Sequence, residues 1–474
     1  NAVTNFSTYA AMEHQTMTTL SSYMIDGEHS YETLIAHELA HQWFGNCLTC
    51  LTWKDIWLAE GFATYSEALY MEHWQGFDEM INYVKSDIQN YYKNWAGNKA
   101  YTTYNPPYSS IFNPSTYEKP ASVLHMLRLL VGNETFFEIL QTYFQTYKHG
   151  NVITEDFIEI AENISKLDLQ QFFQQWIYEA GLPQIDYMCF VSNDPATPQI
   201  ITYAKSNCVN ADTDFYISAP LHLNYEATYD SILVEVGPEI TQTISDIISI
   251  NYESIEFDPN SWILNRGYKN HTTIINNAFA SDGNVLIFWN NIWENVEIDG
   301  FNLYRSFSEN GQYEKINQEL ITTTHYEDNS VENNQTYYYR LKAVKDAIFE
   351  TPFSDAFATT PTNFPMDQGI LVIDETKDKD GTPGNPTDEM VDEFYAEILG
   401  VNFDSFDYAE HESISLEQLA NYSTIIWHDD DIISHNIADN INNLGCYLLA
   451  GGNLIISGWK TSTVIEDYFL NAFL

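Results

Sequence analysis

Apolar residues recur at helical spacing through most of the first 183 positions. The periods run over 77–95, 121–131, 134–147, 154–164 and 167–178, after a short opening strand. From Pro183 the pattern changes to short alternating runs over 185–191, 199–204, 215–225, 231–236 and 253–257, separated by polar turns. Alternation of period two predicts half-buried strands, so a mainly helical part is followed by an all-β part.

A second all-β stretch follows, with strands expected at 285–289, 300–305 and 336–344. These resemble strands of a fibronectin type III domain, in which Tyr337 fits the tyrosine corner that pins one sheet edge. The last segment alternates strand and helix: an apolar run at 369–374, an amphipathic helix at 388–399, and further apolar runs at 424–427 and 453–457. That alternation predicts a parallel, flavodoxin-like α/β sheet, incomplete where the chain stops. The expected fold class is therefore multidomain. It comprises a mainly α domain at 1–183, a β-sandwich at 184–267, a fibronectin type III sandwich at 268–361 and an α/β domain at 362–474.

Composition sharpens the picture. The chain has 474 residues, 44% hydrophobic and 15% aromatic, enough to fill several cores. Its 67 acidic against 19 basic residues give a net charge of −48, a field that repels nucleic acid and anionic membrane surfaces. No apolar run is long enough to span a bilayer. Of five cysteines, Cys47 and Cys50 read as a packed thiol pair, with a disulfide as the alternative. Cys189 and Cys208 flank a candidate hairpin, and export would leave a bridge between them open as an option; Cys446 reads as core.

The chemistry concentrates at His37-Glu38-Leu39-Ala40-His41, with Glu60 after 18 intervening residues. Residues four apart share a helix face, so His37 and His41 can hold one metal while Glu38, one step round, reaches a water without being a ligand. Two His and one Glu form a recurrent catalytic zinc set with an open fourth position. The spacing lets one helix end, a loop turn and a second helix return with Glu60. The bland alternative is a hydrogen-bonded His pair on an amphipathic helix.

The stretch from His37 to Tyr65 resembles the M1 family of zinc aminopeptidases almost position by position. Upstream, Ala10-Ala11-Met12-Glu13-His14-Gln15 is similar to the family's Gly-x-Met-Glu-Asn exopeptidase motif. The resemblance assigns Glu13 to the substrate's free α-amine and Met12 to the pocket for the first side chain, with Ala11 also substrate-binding. Ala10 replaces the usual Gly. Downstream, Tyr117-Glu118-Lys119-Pro120 resembles the Tyr-x-Lys-Gly segment, which assigns Tyr117 to the oxyanion; Pro120 replaces its Gly and fits the first turn of a helix. Trp176–Pro183 and Phe257–Leu264 match the ends of the family's helical part and following sandwich, so the resemblance covers roughly residues 1–266. It implies a thermolysin-like catalytic domain, N-terminally truncated, because the family carries a β domain before this point and the chain opens on Asn1.

The resemblance implies Zn2+ on His37, His41 and Glu60, Glu38 as general base, Tyr117 as oxyanion donor, and peptides with a free N-terminus as partners. The domain types imply an extracellular or cell-surface bacterial protein. Two rival readings remain: a zinc endopeptidase, which does not need Glu13, and a non-catalytic adhesion or scaffold protein with a decayed peptidase domain. Glu67 is either a partner for the metal ligands or a surface helix residue. Ser457 lacks a His partner and is not expected to be a nucleophile. The Asp378-Lys379-Asp380-Gly381 loop lacks the first ligand and closing Glu of an EF-hand and reads as solvated.

Overall fold

The computed structural model describes all residues except 1, 6–9, 197, 247, 250, 251, 291, 377–385, 409, 412, 431–434, 459–462, 464, 466–468 and 470–474. The Asp378–Gly381 loop lies outside the described residues. The chain divides into two units, Asn1–His271 and Thr272–Leu474.

The first unit opens with β1 (Ala2–Thr4), β2 (Ala11–Met12) and β3 (Thr19–Ser21), in the order β1-β3-β2. Two helices follow, α1 (Glu32–Ala40) and α2 (Trp57–Gln75), with β4 (Leu48–Cys50) between them. Then come α3 (Phe77–Tyr83), α4 (Tyr91–Ala96), α5 (Glu118–Val131), α6 (Asn133–Tyr147), β5 (Gly150–Val152), α7 (Thr154–Ser165) and α8 (Gln170–Phe173). The helical period expected over 77–95 is interrupted by a wide π-helical stretch, Val84–Asn90, and that over 167–178 ends in another, Gln174–Tyr178. These stretches are only seven and five residues long, too short for a change in residues per turn to stand out in the apolar period.

Burial explains why α2 runs straight through this unit. Trp57, Phe62, Ala63, Tyr65 and Ala68 are buried along it, beside Val123, Leu124 and Leu127 of α5 and Phe136 and Ile139 of α6. The α2–α5 crossing is close: a Cβ on Gly61 would lie 2.7 Å from the Pro120 Cβ. Pro120 sits in the first turn of α5, as expected, where a missing N–H leaves no intrahelical bond unmade. Lys119 beside it is fully buried, and its ammonium donates to the carbonyls of Tyr101 at 2.8 Å and Glu179 at 3.2 Å. Burial lowers its pKa to about 7.

The β part of this unit has two sheets. One runs β10-β7-β6, made of β6 (Pro183–Ser192), β7 (Ile200–Cys208) and β10 (Thr241–Ile244), with β12 (Gly267–Asn270) parallel to β6. The other runs β11-β8-β9, made of β8 (Ile217–Asn224), β9 (Tyr229–Val236) and β11 (Ser254–Phe257). All five expected strands are present; β10 and β12 carry too few apolar residues to announce themselves. The Cys189–Cys208 bridge is corrected. On the β6–β7 ladder Cys189 faces Thr202 while Cys208 faces Pro183, and both thiols are free. Six ladder steps at about 3.4 Å each put them far beyond disulfide reach. Cys47 and Cys50 are also free, and Cys446 is buried as expected.

The second unit begins with two antiparallel sheets. One is β13-β14-β17, from β13 (Ile275–Ser281), β14 (Asn284–Trp289) and β17 (His325–Asp328). The other is built on β15 (Gly300–Ser306) and β18 (Tyr337–Lys345), with β16 (Glu314–Lys315), β19 (Phe349–Glu350) and β20 (Phe357–Thr359) at their edges. Trp289 meets Phe301 across the sheets at 5.5 Å, and the Tyr337 hydroxyl accepts the Glu332 N–H at 2.8 Å.

A parallel sheet follows, in the order β22-β21-β23-β24, from β21 (Gln368–Asp374), β22 (Phe403–Asp407), β23 (Tyr422–Asp429) and β24 (Asn453–Gly458). Val372 and Ile426 pack with Val391 and Tyr395 of α9 (Asp388–Leu399) on one face. Leu371, Ile373, Ile425 and Trp427 pack on the other with α10 (Leu416–Leu419), α11 (Asn436–Asp439) and α12 (Ile441–Leu449). Among the described residues no helix is long and apolar enough to cross a membrane.

Candidate active site

Helix α1 carries His37 and His41 on one face, and the loop through β4 returns the chain so that Glu60 lies in the first turn of α2. All three are at least nine-tenths buried. The Nε2 atoms of His37 and His41 are 3.1 Å apart, and Glu60 Oε2 lies 3.6 Å from the first and 3.3 Å from the second. Metal–ligand bonds of about 2.0–2.1 Å at tetrahedral angles give donor–donor edges of about 3.3 Å. The three atoms therefore fit three corners of a zinc tetrahedron, and they are the one such group of three donors among the described residues.

The other ring nitrogens are tied down, which orients the imidazoles. His37 Nδ1 is 2.7 Å from Glu67 Oε1, and the Tyr83 hydroxyl donates to the other oxygen of Glu67. His41 Nδ1 donates to the Phe44 carbonyl at 2.9 Å. The next residue, Gly45, has φ of +132°, and a Cβ there would sit 3.0 Å from His41 Nδ1, so this turn requires glycine. Charge is balanced the same way. Burial opposes the charged form of His37, but hydrogen bonds with Glu60 and Glu67 outweigh it and raise its pKa to about 10. Burial opposes the carboxylate of Glu60, but the two imidazoles hold its pKa at about 2. A buried carboxylate facing two imidazole nitrogens marks a place for a cation.

Glu38 is 7% exposed, and its Oε2 has no hydrogen-bond partner among the described residues. Burial raises its pKa, against the pull of His37 and His41, which suits a base working near neutrality. Tyr117 immediately precedes α5, with its ring stacked 6.0 Å from that of His37. Burial, then the charge of Glu60, push its phenol pKa up, so the hydroxyl remains a donor.

The N-terminal strands supply the far wall. Asn46 Nδ2 donates to the Glu13 carbonyl at 2.5 Å and Gln42 Nε2 at 3.3 Å, while Gln42 Oε1 accepts the Thr16 N–H at 2.8 Å. The turn that follows α1 thus straps down the Glu13 loop. Ala10 is not among the residues of positive φ, and its carbonyl accepts the Ser21 N–H at 2.8 Å, so a Cβ in place of the resembled glycine is tolerated. Ala10, Ala11, Met12 and Glu13 line one cavity of about 880 Å³ with His37, Glu38, His41, Glu60 and Tyr117.

The Peptidase family M1 domain matches residues 2–176. This part of the chain is similar to peptidase family M1. Human glutamyl aminopeptidase is 33% identical over 160 residues, 32% of this chain and 17% of that protein. Probable aminopeptidase 2 of Sulfurisphaera tokodaii is 31% identical over 225 residues, 46% of this chain and 28% of that protein. The crystal structure of Legionella pneumophila aminopeptidase A in complex with aspartic acid aligns at 20% identity with a TM-score of 0.44, covering 56% of this chain and 31% of that one. The chain thus spans less than a third of the length of these curated relatives.

Every M1 site residue expected from the sequence lies in this one cavity. The open question about Glu67 is resolved: it faces His37, not solvent. Its seven-residue spacing from Glu60, two helical turns along the same face, was the available signal. Sequence reasoning missed Tyr83, the last residue of α3, which is brought to Glu67 by the packing of α3 on α2. It also missed Glu118, which lines the cavity and whose pKa burial raises to about 7. Nothing in sequence spacing marked the Gln42–Asn46 strap.

Proposed function

We propose that this chain carries the catalytic centre of an M1-type zinc aminopeptidase, releasing N-terminal residues from peptides. The observation that carries the reading is the buried Glu38, whose Oε2 has no hydrogen-bond partner among the described residues, beside three donor atoms at tetrahedral spacing in a cavity that Glu13 also lines. His37, His41 and Glu60 would hold the zinc, which when bound would supply Lewis acidity and lower the pKa of a water. Glu38 takes the water's proton on Oε2 and passes it to the leaving amine. Tyr117 donates its hydroxyl proton in a hydrogen bond to the developing oxyanion. Glu13 binds the substrate ammonium, and Met12 and Ala11 bound the space for the first side chain.

The accessory parts are read as the sequence suggested: a fibronectin type III sandwich, supported by the Tyr337 bond to Glu332, and a flavodoxin-like domain, supported by the β22-β21-β23-β24 order. Such modules suit a bacterial enzyme working outside the cell or at its surface.

Matched peptides with free and acetylated N-termini test the activity, with products read by mass spectrometry. A charge-assisted hydrogen bond of roughly 1.5–3 kcal/mol predicts about a 10- to 100-fold preference for the free amine. Glu13→Ala is expected to erase most of it. Internal cleavage of acetylated peptides at the same rate as free ones would promote the endopeptidase alternative instead.

A further inference from the structure

The second unit holds a second set of buried acids, and it is not equivalent to the first. In the parallel sheet, β21 lies between β22 and β23, so the chain leaves β21 for one side and returns on the other. At such a switch point the loops diverge and open a crevice at the carboxyl ends of the strands, where α/β sheets bind ligands. Here β21 ends in Asp374 and β23 continues through His428 and Asp429 to Asp430, with Asp374 and His428 paired in register.

Neighbouring acids at this edge are treated differently by the fold. Glu375 is fully buried and fully used: it accepts from Trp427 Nε1 at 2.6 Å, Asn436 N at 2.6 Å, Asn436 Nδ2 at 2.9 Å and Ile437 N at 2.9 Å. Asp374 is 3% exposed, yet only its Oδ1 is used, by the Thr376 N–H at 2.8 Å; its Oδ2 has no partner among the described residues. The same holds for Asp430 Oδ2 and for His428 Nε2, whose ring is held through Nδ1 by the Tyr395 hydroxyl at 3.0 Å. An unpaired buried carboxylate oxygen is costly, and a fold that satisfies Glu375 completely leaves this one open.

Charge selects the ligand. Residues 362–474 contain 21 acidic side chains, three Lys and no Arg, so an anionic group, the common occupant of a switch point, is repelled. A cation is attracted. The donors do not converge as at the zinc centre, because ends of adjacent strands stand about 4.8 Å apart. That spacing suits a hard cation that keeps several waters and takes one or two carboxylates, the habit of Mg2+.

We propose that the carboxyl edge of the β21–β23 pair binds one hydrated divalent cation of the Mg2+ class, through Asp374 and Asp430 with His428 alongside. Burial of Asp374, and then the charge of Asp430, raise its pKa in the cation's absence, as such a site requires.

The test is calorimetric titration of the zinc-loaded full chain with MgCl2 at roughly millimolar concentration in physiological salt, repeated with Mn2+ followed by its electron paramagnetic resonance. One saturable site is expected. Asp374→Asn is expected to weaken it about 10- to 100-fold. Asp430→Asn, at a half-buried position, is expected to do likewise with zinc content unchanged. Uptake that is unsaturable in the wild type, or equal in wild type and Asp430→Asn, overturns the proposal and leaves Asp374 satisfied by a proton alone.

Discussion

In the first unit, helix geometry brings His37, His41 and Glu60 to 3.1–3.6 Å of one another. In the second, parallel strands end in Asp374, His428 and Asp430, which stay spread along a sheet edge. Both places bury carboxylates beside imidazoles, but the backbone decides what they can bind. Helical residues four apart lie one above the other, and one crossing helix supplies a third donor at bonding distance. Strand ends are set apart by the hydrogen-bond ladder and reach a common ion only through water. A close, dehydrated set of nitrogen and carboxylate donors selects zinc; a loose, oxygen-rich edge selects a hydrated ion.

The sharpest way to break this contrast is to change the base without touching the zinc donors. Glu38→Gln preserves shape and removes proton acceptance, and is expected to cost about 10²- to 10⁴-fold in turnover. Zinc content by metal analysis should stay at one per chain, and the Mg2+ response of the second unit should be untouched. Wild-type turnover in this variant would make another group the base.

Much of the first site was legible in the sequence, because its donors lie on helices whose periodicity is regular. His37 to His41 is one turn, and Pro120 falls in the first turn of α5 as its context suggests. The second edge was not legible. β22, Phe403–Asp407, alternates phenylalanine with acid and carries too little apolar character to read as a strand. Without it the topology, and hence the switch point beside Asp374, stays hidden. The Glu13 strap was invisible for a different reason: it joins side chains to a carbonyl 29 and 33 residues away, and no local pattern encodes that. The free Cys189 and Cys208 teach the same lesson, since hairpin register, not proximity in sequence, sets their separation.

A smaller effect tests how rigid the zinc donors are. Glu67→Gln keeps volume but removes the charge opposite His37 Nδ1, and it loosens the Tyr83 contact. Zinc affinity, measured by chelator competition, is expected to fall about 10- to 100-fold. Tyr83→Phe should produce a weaker version of the same loss. Unchanged affinity in Glu67→Gln would mean that packing alone orients the imidazole.

The smallest expected change probes the frame behind the site. Gly61 follows Glu60 and faces Pro120, three residues past Tyr117, so the α2–α5 crossing couples the proposed zinc donor to the proposed oxyanion donor. Gly61→Ala gains about 1 kcal/mol of helix propensity. Against this, its Cβ would meet the Pro120 Cβ at 2.7 Å and Cγ at 2.8 Å, and a ring in the first turn of α5 cannot swing aside. Overpacking of this kind costs about 1–3 kcal/mol, so a net loss of up to about 2 kcal/mol in denaturant stability is expected. Pro120→Gly removes the obstructing atoms. In that background Gly61→Ala should be neutral or stabilising, a coupling of about 1 kcal/mol or more in a double-mutant cycle. Additive losses would show that the crossing yields without strain, and that Glu60 and Tyr117 are held by their own hydrogen bonds rather than by the contact behind them.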